Sequence, residues 1–157
     1  MKEKMTLIFF SGSMDKAIAM LTLATTGVAL GMEVSVFATF WGLNFFKKKR
    51  KFRNKNLIQK LLELMLPTSQ SRLPLSSMNM AGVGPIMMDK LIMQTKSASV
   101  DQLYKTAVEL GVKFYACSAS CHTMGIDKAN LTDTIQDIVG AATFLNDAKD
   151  AKINLFI

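Results

Sequence analysis

The apolar and polar positions of the chain form short unbroken apolar runs that alternate with amphipathic stretches. The apolar run at 5–10 predicts a strand buried on both faces, and the segment at 33–39 predicts a second strand. Between them, Ser13 is a candidate N-cap, and apolar residues at helical spacing predict a helix that ends at Gly31. This order of elements predicts a right-handed βαβ unit.

The middle of the chain has a weaker pattern. Residues 40–52 are expected to form a loop with some helix, and the apolar spacing at 55–66 predicts a helix that Pro67 stops. Proline, glycine, serine and methionine at 68–85 predict a long connection. Six of the 12 methionines lie between 65 and 93. They suit either core or subunit packing, through Ile86, Met87, Leu91 and Ile92, or an adaptable lid over a site.

The last third contains a clear helix and two further strands. Ser99 and Gln102 form a capping box for a helix over 100–110, and residues 112–116 predict the strand that follows it. Thr132 or Asp133 is then expected to cap a last helix, and residues 151–157 predict a closing strand. The apolar positions of that last helix are Ile135, Ile138, Val139, Ala142 and Phe144.

Strands that alternate with helices predict an α/β fold, with a doubly wound, mostly parallel sheet and helices on both faces. The length of 157 residues favours a single domain over 1–157. Half of the residues are hydrophobic and 20% are charged, which predicts that apolar surface is covered in a homo-oligomer.

The net charge of +7 comes from one segment. Residues 47–55 hold seven of the 19 lysines and arginines, which leaves 12 basic against 12 acidic residues elsewhere. Such a run is most simply an exposed loop or helix start, and its functional alternative is a docking site for an acidic partner. Nucleic acid is not an expected partner, because Phe52 is the run's only aromatic residue.

Nothing in the sequence predicts integral membrane insertion or export. The N-terminal apolar run is too short for a signal peptide, and the uncharged stretch at 17–32 has 16 residues, below the roughly 20 that span a bilayer. A cytoplasmic, reducing location is expected. There the two cysteines are more typical of catalytic, redox or inert thiols than of a structural disulfide.

The candidate chemistry centres on Cys117. Ligands of parallel sheets gather beyond the carboxyl ends of the strands, and Cys117 follows the predicted strand at 112–116. A helix start there would stabilise its thiolate, although a buried, inert cysteine is the alternative. The small residues expected to form a binding site around it are Ser11, Gly12, Ser13, Ser118 and Ser120.

Cys121 lies one helical turn beyond Cys117 and is a candidate auxiliary thiol or partner in a disulfide switch. His122, the only histidine, is expected in a surface or packing role. These three residues lack a fourth ligand and the usual zinc spacing, so no metal is predicted. Phosphate-binding and dinucleotide-binding motifs are also missing from the sequence, so no nucleotide cofactor is expected.

Three stretches carry a resemblance to a known family: SGSMDK at 11–16, AGVGPIMMDKLI at 81–92 and KFYACSASCHTMGI at 113–126. With the residues around them, the chain resembles the DsrE/DsrF-like family, in particular its small peroxiredoxin-like, sulfur-relay branch. The similarity extends from Met5 to Ile157. Relatives commonly have methionine where this chain has Cys121, and the T-x-x-C peroxidase motif is missing.

The resemblance implies a flavodoxin-like fold, homo-oligomers and no cofactor. It also implies that Cys117, at the head of the family motif, carries sulfane sulfur as a persulfide or acts in a sulfurtransferase. Ser120, Met124 and Gly125 match the same motif. The implied partners are TusA-like or rhodanese-like sulfur carriers. Two alternatives remain open: a non-catalytic ligand-binding or assembly module of the same fold, and a dithiol redox switch through Cys117 and Cys121.

Overall fold

The computed structural model describes residues 2–48, 50, 52–70 and 73–157, which contain a five-stranded parallel sheet. The strands are β1 (Lys4–Phe9), β2 (Glu33–Ala38), β3 (Lys113–Cys117), β4 (Ile135–Val139) and β5 (Ile153–Phe156). Their order across the sheet is β4-β3-β2-β1-β5. Successive strands are therefore added on one side of β1 until the chain returns to place β5 on the other side.

Helices cover both faces of the sheet, as the sequence predicts. They are α1 (Met14–Ala29), α2 (Leu57–Met65), α3 (Val83–Gln94), α4 (Val100–Glu109), α5 (Ser118–Met124) and α6 (Ala141–Ala148). Helix α1 packs against α4, and its buried residues join the main core. On the other face, Phe37 of β2 stacks on Phe144 of α6 with ring centres 4.6 Å apart. The doubly wound α/β fold is confirmed.

The predicted boundaries hold where local signals are strong. Both halves of the Ser99–Gln102 capping box are present at the start of α4. Gly31 follows α1 with φ of 86°, a left-handed conformation that favours glycine at a helix exit. Residues 40–46, expected to be a loop with some helix, form the 3-10 helix Phe40–Phe46. Shorter 3-10 turns lie at Met80–Gly82 and Lys128–Asn130.

The predicted last helix is wrong in its first half. Ile135, Ile138 and Val139 belong to strand β4, and the helix there, α6, begins only at Ala141. The three β-branched residues suit a strand, and β4 pairs with β3 from Phe114↔Ile135 to Cys117↔Val139. A register irregularity beside Phe114 interrupts the regular alternation of buried and exposed positions.

The expectation that the basic run is exposed throughout is also wrong. Lys47 and Lys55 are buried, and the Nζ atom of each lies 2.8 Å from Oε2 of the buried Glu63. Lys48, Arg50 and Arg53 are exposed, while Lys49 and Lys51 lie outside the described residues. The run therefore divides into a buried, ion-paired part and a solvated part. Physically, the carboxylate of α2 compensates lysines that could not otherwise be buried.

The methionine-rich segment joins the core within one chain at some of its apolar positions and not at others. In α3, Ile92 is buried, whereas Ile86, Met87 and Leu91 are exposed. The exposed methionines of this region are Met65, Met78, Met80, Met87 and Met93. Among the described residues, helices long and apolar enough to cross a membrane are not found.

Candidate functional site

Cys117 lies at the carboxyl edge of the sheet, where one element changes into another. It is the last residue of β3 and the N-cap residue of α5. Its side chain is 7% exposed and packs with Phe37 and Phe144 on the α6 face of the sheet. The sulfur is thus held in a partly apolar environment directly beside the start of a helix.

The pKa of the Cys117 thiol reflects two opposing effects. Burial alone would raise it, because burial penalises the charged thiolate. Hydrogen bonding opposes this: the backbone and side chain of Ser120, the side chain of Thr39 and the backbone of Ala119 all lower the pKa. Together they outweigh burial and hold the pKa of Cys117 below its ordinary value. The thiolate of Cys117 is therefore more accessible than that of an ordinary cysteine.

Thr39 reaches the sulfur because of strand pairing. Strands β2 and β3 are parallel neighbours with Ala38 opposite Ala116, so the next residue of each strand meets at the same edge. The Thr39 hydroxyl lies 2.7 Å from that of Ser120, which is buried. Sequence reasoning missed Thr39. The available signal was its position directly after the strand that precedes β3 in the sheet.

Cys121 has a different environment although it lies one turn away. Its side chain is 3% exposed, and both cysteines are free thiols. Burial, together with the proximity of Cys117 and Asp127, raises the pKa of Cys121 to about 12. The Cys121 thiol therefore stays protonated at neutral pH, which disfavours it as an attacking group.

The loop after β1 packs tightly against the segment that carries Thr39. Gly12 has φ of 62°, and a Cβ atom added there would lie 2.1 Å from the carbonyl oxygen of Trp41. The amide of Gly42 donates to the carbonyl of Phe10 at 2.9 Å. The first loop thus supports the Thr39 segment through backbone contact.

The other residues considered for the site differ in their burial. Ser13 is buried at the N-cap position of α1 without a side-chain capping bond, and Ser11 is half-buried. Ser118 and His122 are exposed on α5. Of the serines predicted for the site, Ser120 is the one whose groups donate to the sulfur.

Open space lies near Cys117 on the α6 face. A cavity of about 150 Å³ is bordered by Tyr115, Val139 and Phe144, which also pack in the apolar cluster around Cys117. A larger cavity of about 620 Å³ lies between the end of α2 and the start of α3. Cys117 is not among the lining residues of either cavity. Within the described part of the chain, no group of three or more His, Cys, Asp or Glu residues is arranged to hold a metal ion.

Comparisons with known proteins point to one family. Residues 1–156 match the model of the DsrE/DsrF/DrsH-like family. The chain is 35% identical to Uncharacterized protein YrkE of Bacillus subtilis over 99% of this chain and 97% of the relative. It is 31% identical to Sulfur carrier protein DsrE2 of Allochromatium vinosum over 99% of both chains.

Solved structures share the fold at low sequence identity. Protein MTH1491 of Methanobacterium thermoautotrophicum has a TM-score of 0.56 at 14% identity, covering 99% of this chain and all of that one. The ychN protein of E. coli has a TM-score of 0.55 at 11% identity and full coverage of both chains. These similarities show the fold alone.

Proposed function

The chain belongs to the DsrE/DsrF/DrsH-like family, and from that premise we propose that it is a sulfur-relay protein that carries sulfane sulfur as a persulfide on Cys117. A relative over the full length bears the name of a sulfur carrier, which supports the relay role. The proposal extends this role to a particular residue and to its chemistry.

The environment of Cys117 is the observation that carries the proposal. A sulfur relay needs a thiolate at neutral pH, because the thiolate is the attacking species. Donors from Ser120, Thr39 and Ala119 lower the pKa of Cys117 in spite of its burial. The same groups would favour negative charge on a persulfide formed at this position.

The transfer step balances without an external oxidant or reductant. The Cys117 thiolate attacks the outer sulfur of a donor persulfide R–S–SH, and a new S–S bond forms on Cys117. The bond between the two donor sulfurs breaks, and its electron pair leaves with the donor as R–S⁻. The transferred sulfur keeps its proton, so Cys117 becomes a persulfide. Attack by an acceptor thiolate on that outer sulfur reverses the step and restores Cys117.

Cys121 has no required part in this step. Its raised pKa of about 12 keeps it as a thiol, so it is a poor nucleophile for resolving an oxidised Cys117. This favours the persulfide carrier over a dithiol switch. The low exposure of Cys117 is the observation that favours the other alternative, a binding module in which this cysteine is inert. The position of Cys117 at the start of α5, together with its lowered pKa, favours the carrier over this alternative.

Partners, location and assembly form part of the same proposal. TusA-like or rhodanese-like carriers are the proposed sulfur donors or acceptors, because their cysteines perform the matching half of the exchange. A cytoplasmic location and a homo-oligomer, both expected from the sequence, remain predictions.

Sulfur loading tests the proposal directly. Wild type, Cys117→Ser and Cys121→Ser are incubated with polysulfide or thiosulfonate donors, and intact masses are measured before and after reductant. Wild type and Cys121→Ser should gain whole sulfur atoms that reductant removes, whereas Cys117→Ser should gain none. Loading of Cys117→Ser at the wild-type rate would refute the site. If no folded variant loads, the carrier function is wrong. A gain that needs both thiols would favour the dithiol switch.

Alkylation separates the carrier from the inert binding module. At neutral pH, a thiol-specific reagent should label Cys117 rapidly, because the thiolate is the reactive form. Cys121 serves as the internal control, since its protonated thiol should react slowly. Equal, slow labelling of both cysteines would favour the binding module.

A further inference from the structure

Helix α2 has its apolar face turned outward. Leu57 is 83% exposed and Leu61 is 56% exposed. Ile58, Leu64 and Met65 are exposed as well. A helix on a globular protein ordinarily buries its apolar stripe. The apolar face of α2 therefore has no packing partner within the described residues. A helix adapted to solvent would carry polar side chains at these positions.

Polar contacts fix this outward orientation. On the inward side of α2, the buried Glu63 accepts hydrogen bonds from Lys47 and Lys55, each at 2.8 Å. Gln59, on the same helix, donates to the carbonyl of Thr123 at 3.0 Å. Turning the leucines inward would break these bonds and leave two buried lysines without their carboxylate. The apolar face is thus held in place by the fold.

Helix α3 extends the same surface. Met65 of α2 and Ile86 of α3 border one cavity, so the two helices are neighbours there. Further apolar side chains on the outer side of α3 are exposed; they are Val83, Met87, Leu91 and Met93. We call the exposed apolar residues of α2 and α3 together the α2/α3 face.

The exposed area of the whole chain is larger than its mass requires. A monomer of 17.3 kDa is expected to expose about 7,800 Å². This chain exposes 9096 Å². The excess of about 1,300 Å² exceeds the roughly 800 Å² that one partner contributes to a standard interface. The chain as a whole therefore exposes enough additional area for an interface of standard size.

The charged residues around the α2/α3 face indicate what kind of surface covers it. Arg50, Arg53 and Lys60 are exposed beside or within α2. Glu63 is the only acidic residue of α2, and the two buried lysines neutralise it internally. On α3, Asp89 is balanced by Lys90. The border of the face at α2 is therefore cationic.

We propose that the α2/α3 face binds the surface of a bilayer that contains anionic phospholipid. Leucine, isoleucine and methionine side chains would enter the boundary between headgroups and acyl chains, while the cations contact lipid phosphates. A second copy related by two-fold symmetry fits less well, because it would bring a copy of the same cationic border towards the first. The binding is peripheral and does not depend on Cys117.

Vesicle co-sedimentation tests the proposal with a matched control. Wild type should pellet with vesicles of equal parts phosphatidylglycerol and phosphatidylcholine, less with pure phosphatidylcholine, and less as salt rises. Leu57→Gln/Leu61→Gln/Leu64→Gln should weaken binding at least about tenfold. Replacing Arg50, Arg53 and Lys60 with glutamine should weaken vesicle binding about fivefold for each cation that is lost. The control, Leu30→Gln/Leu145→Gln, changes leucines that are 76% and 61% exposed elsewhere, and it should bind like wild type.

Three outcomes would overturn the proposal. The first is folded wild type that pellets with neither vesicle. The second is equal loss of binding in the control and in the α2 variant. The third outcome combines two measurements: wild type is an oligomer in light scattering whereas the α2 variant is not, and neither protein binds vesicles. This result would assign the face to contact with a second copy of the chain. Cys117→Ser should bind vesicles normally, so failure here is distinguishable from failure of the sulfur-relay function.

Discussion

The hydroxyl groups of Thr39 and Ser120 lie within hydrogen-bond distance of each other, 2.7 Å apart, and hydrogen bonding by both residues lowers the pKa of Cys117. Thr39 comes from the end of β2, whereas Ser120 lies in the first turn of α5 after β3. Two separate segments thus converge on one sulfur atom. This convergence makes the ionisation of Cys117 sensitive to substitutions far from it in sequence.

Removing either hydroxyl should raise the pKa of Cys117. A hydrogen bond to a charged group corresponds to about one pKa unit, so Thr39→Val or Ser120→Ala should lower the alkylation rate at neutral pH about tenfold. The pH dependence of alkylation measures the shift, because its midpoint should move to higher pH. Thr22→Val, an exposed threonine of α1, is the matched control and should leave the midpoint unchanged. An unmoved midpoint in both site variants would show that the hydroxyls do not stabilise the thiolate.

Glu63→Gln should destabilise the fold strongly. The substitution leaves the buried Lys47 and Lys55 without a compensating charge, which costs about 3 to 5 kcal/mol in comparable buried pairs. Chemical denaturation measures the loss. Lys48→Gln, an exposed lysine of the same run, should keep the wild-type midpoint. A stability of Glu63→Gln equal to that of wild type would mean that the buried triad contributes nothing.

The same carboxylate predicts a pH dependence. Burial would raise the pKa of Glu63, but hydrogen bonds from Lys47 and Lys55 outweigh it and hold the pKa below 4.5. A depressed folded-state pKa gives stability that is complete above the unfolded value and is lost as pH falls through the folded value. The difference between wild type and Glu63→Gln should therefore be constant near neutrality and shrink below about pH 4.5. A difference that grows in acid would contradict this sign.

Gly12→Ala should cost more than Gly31→Ala, although both glycines have positive φ. At Gly31 nothing lies within 4 Å of an added Cβ, so only backbone strain of about 1 kcal/mol is expected. At Gly12 the added atom meets the Trp41 carbonyl, so strain and overpacking together should reach about 3 kcal/mol. Thermal unfolding of the two variants measures the contrast. Equal losses of thermal stability in the two variants would mean that the loop at Gly12 can shift to accommodate a side chain without further cost.

The homo-oligomer predicted from composition should persist in solution and should not use α2. Light scattering of wild type at micromolar concentration should give a mass above that of one chain. Leu57→Gln/Leu61→Gln/Leu64→Gln should give the same mass, because the α2/α3 face is assigned to lipid and the oligomer is expected to use another surface. A monomeric wild type would remove the assembly prediction altogether.

Local sequence signals were sufficient for the first βαβ unit and for the position of Cys117. An unbroken apolar run, an N-cap and a glycine exit are each set within a few residues, and the structure has all of these near the expected boundaries. Strand β4 was different. Ile135, Ile138 and Val139 also fit helical spacing, and only pairing with β3, some 20 residues earlier, resolves the ambiguity.

Contacts between distant segments account for the rest of what sequence reasoning missed. Thr39 becomes a neighbour of the sulfur only after β2 and β3 have paired in register. Lys47 and Lys55 look solvated in a basic run, and their burial follows from a carboxylate on the next helix. Long-range partners of this kind leave no periodic trace in the chain.

The two segments that meet at Gly12 and Gly42 cannot change independently, because neither glycine has room for a side chain. A Cβ atom at Gly12 would lie 2.1 Å from the Trp41 oxygen, and one at Gly42 would lie 2.1 Å from the Phe9 oxygen. A larger residue in either loop requires the other loop to move. Because Thr39 belongs to the second loop, such a displacement would also change the donor to the sulfur. Sequence drift in the first loop is therefore constrained by chemistry that occurs on a different strand.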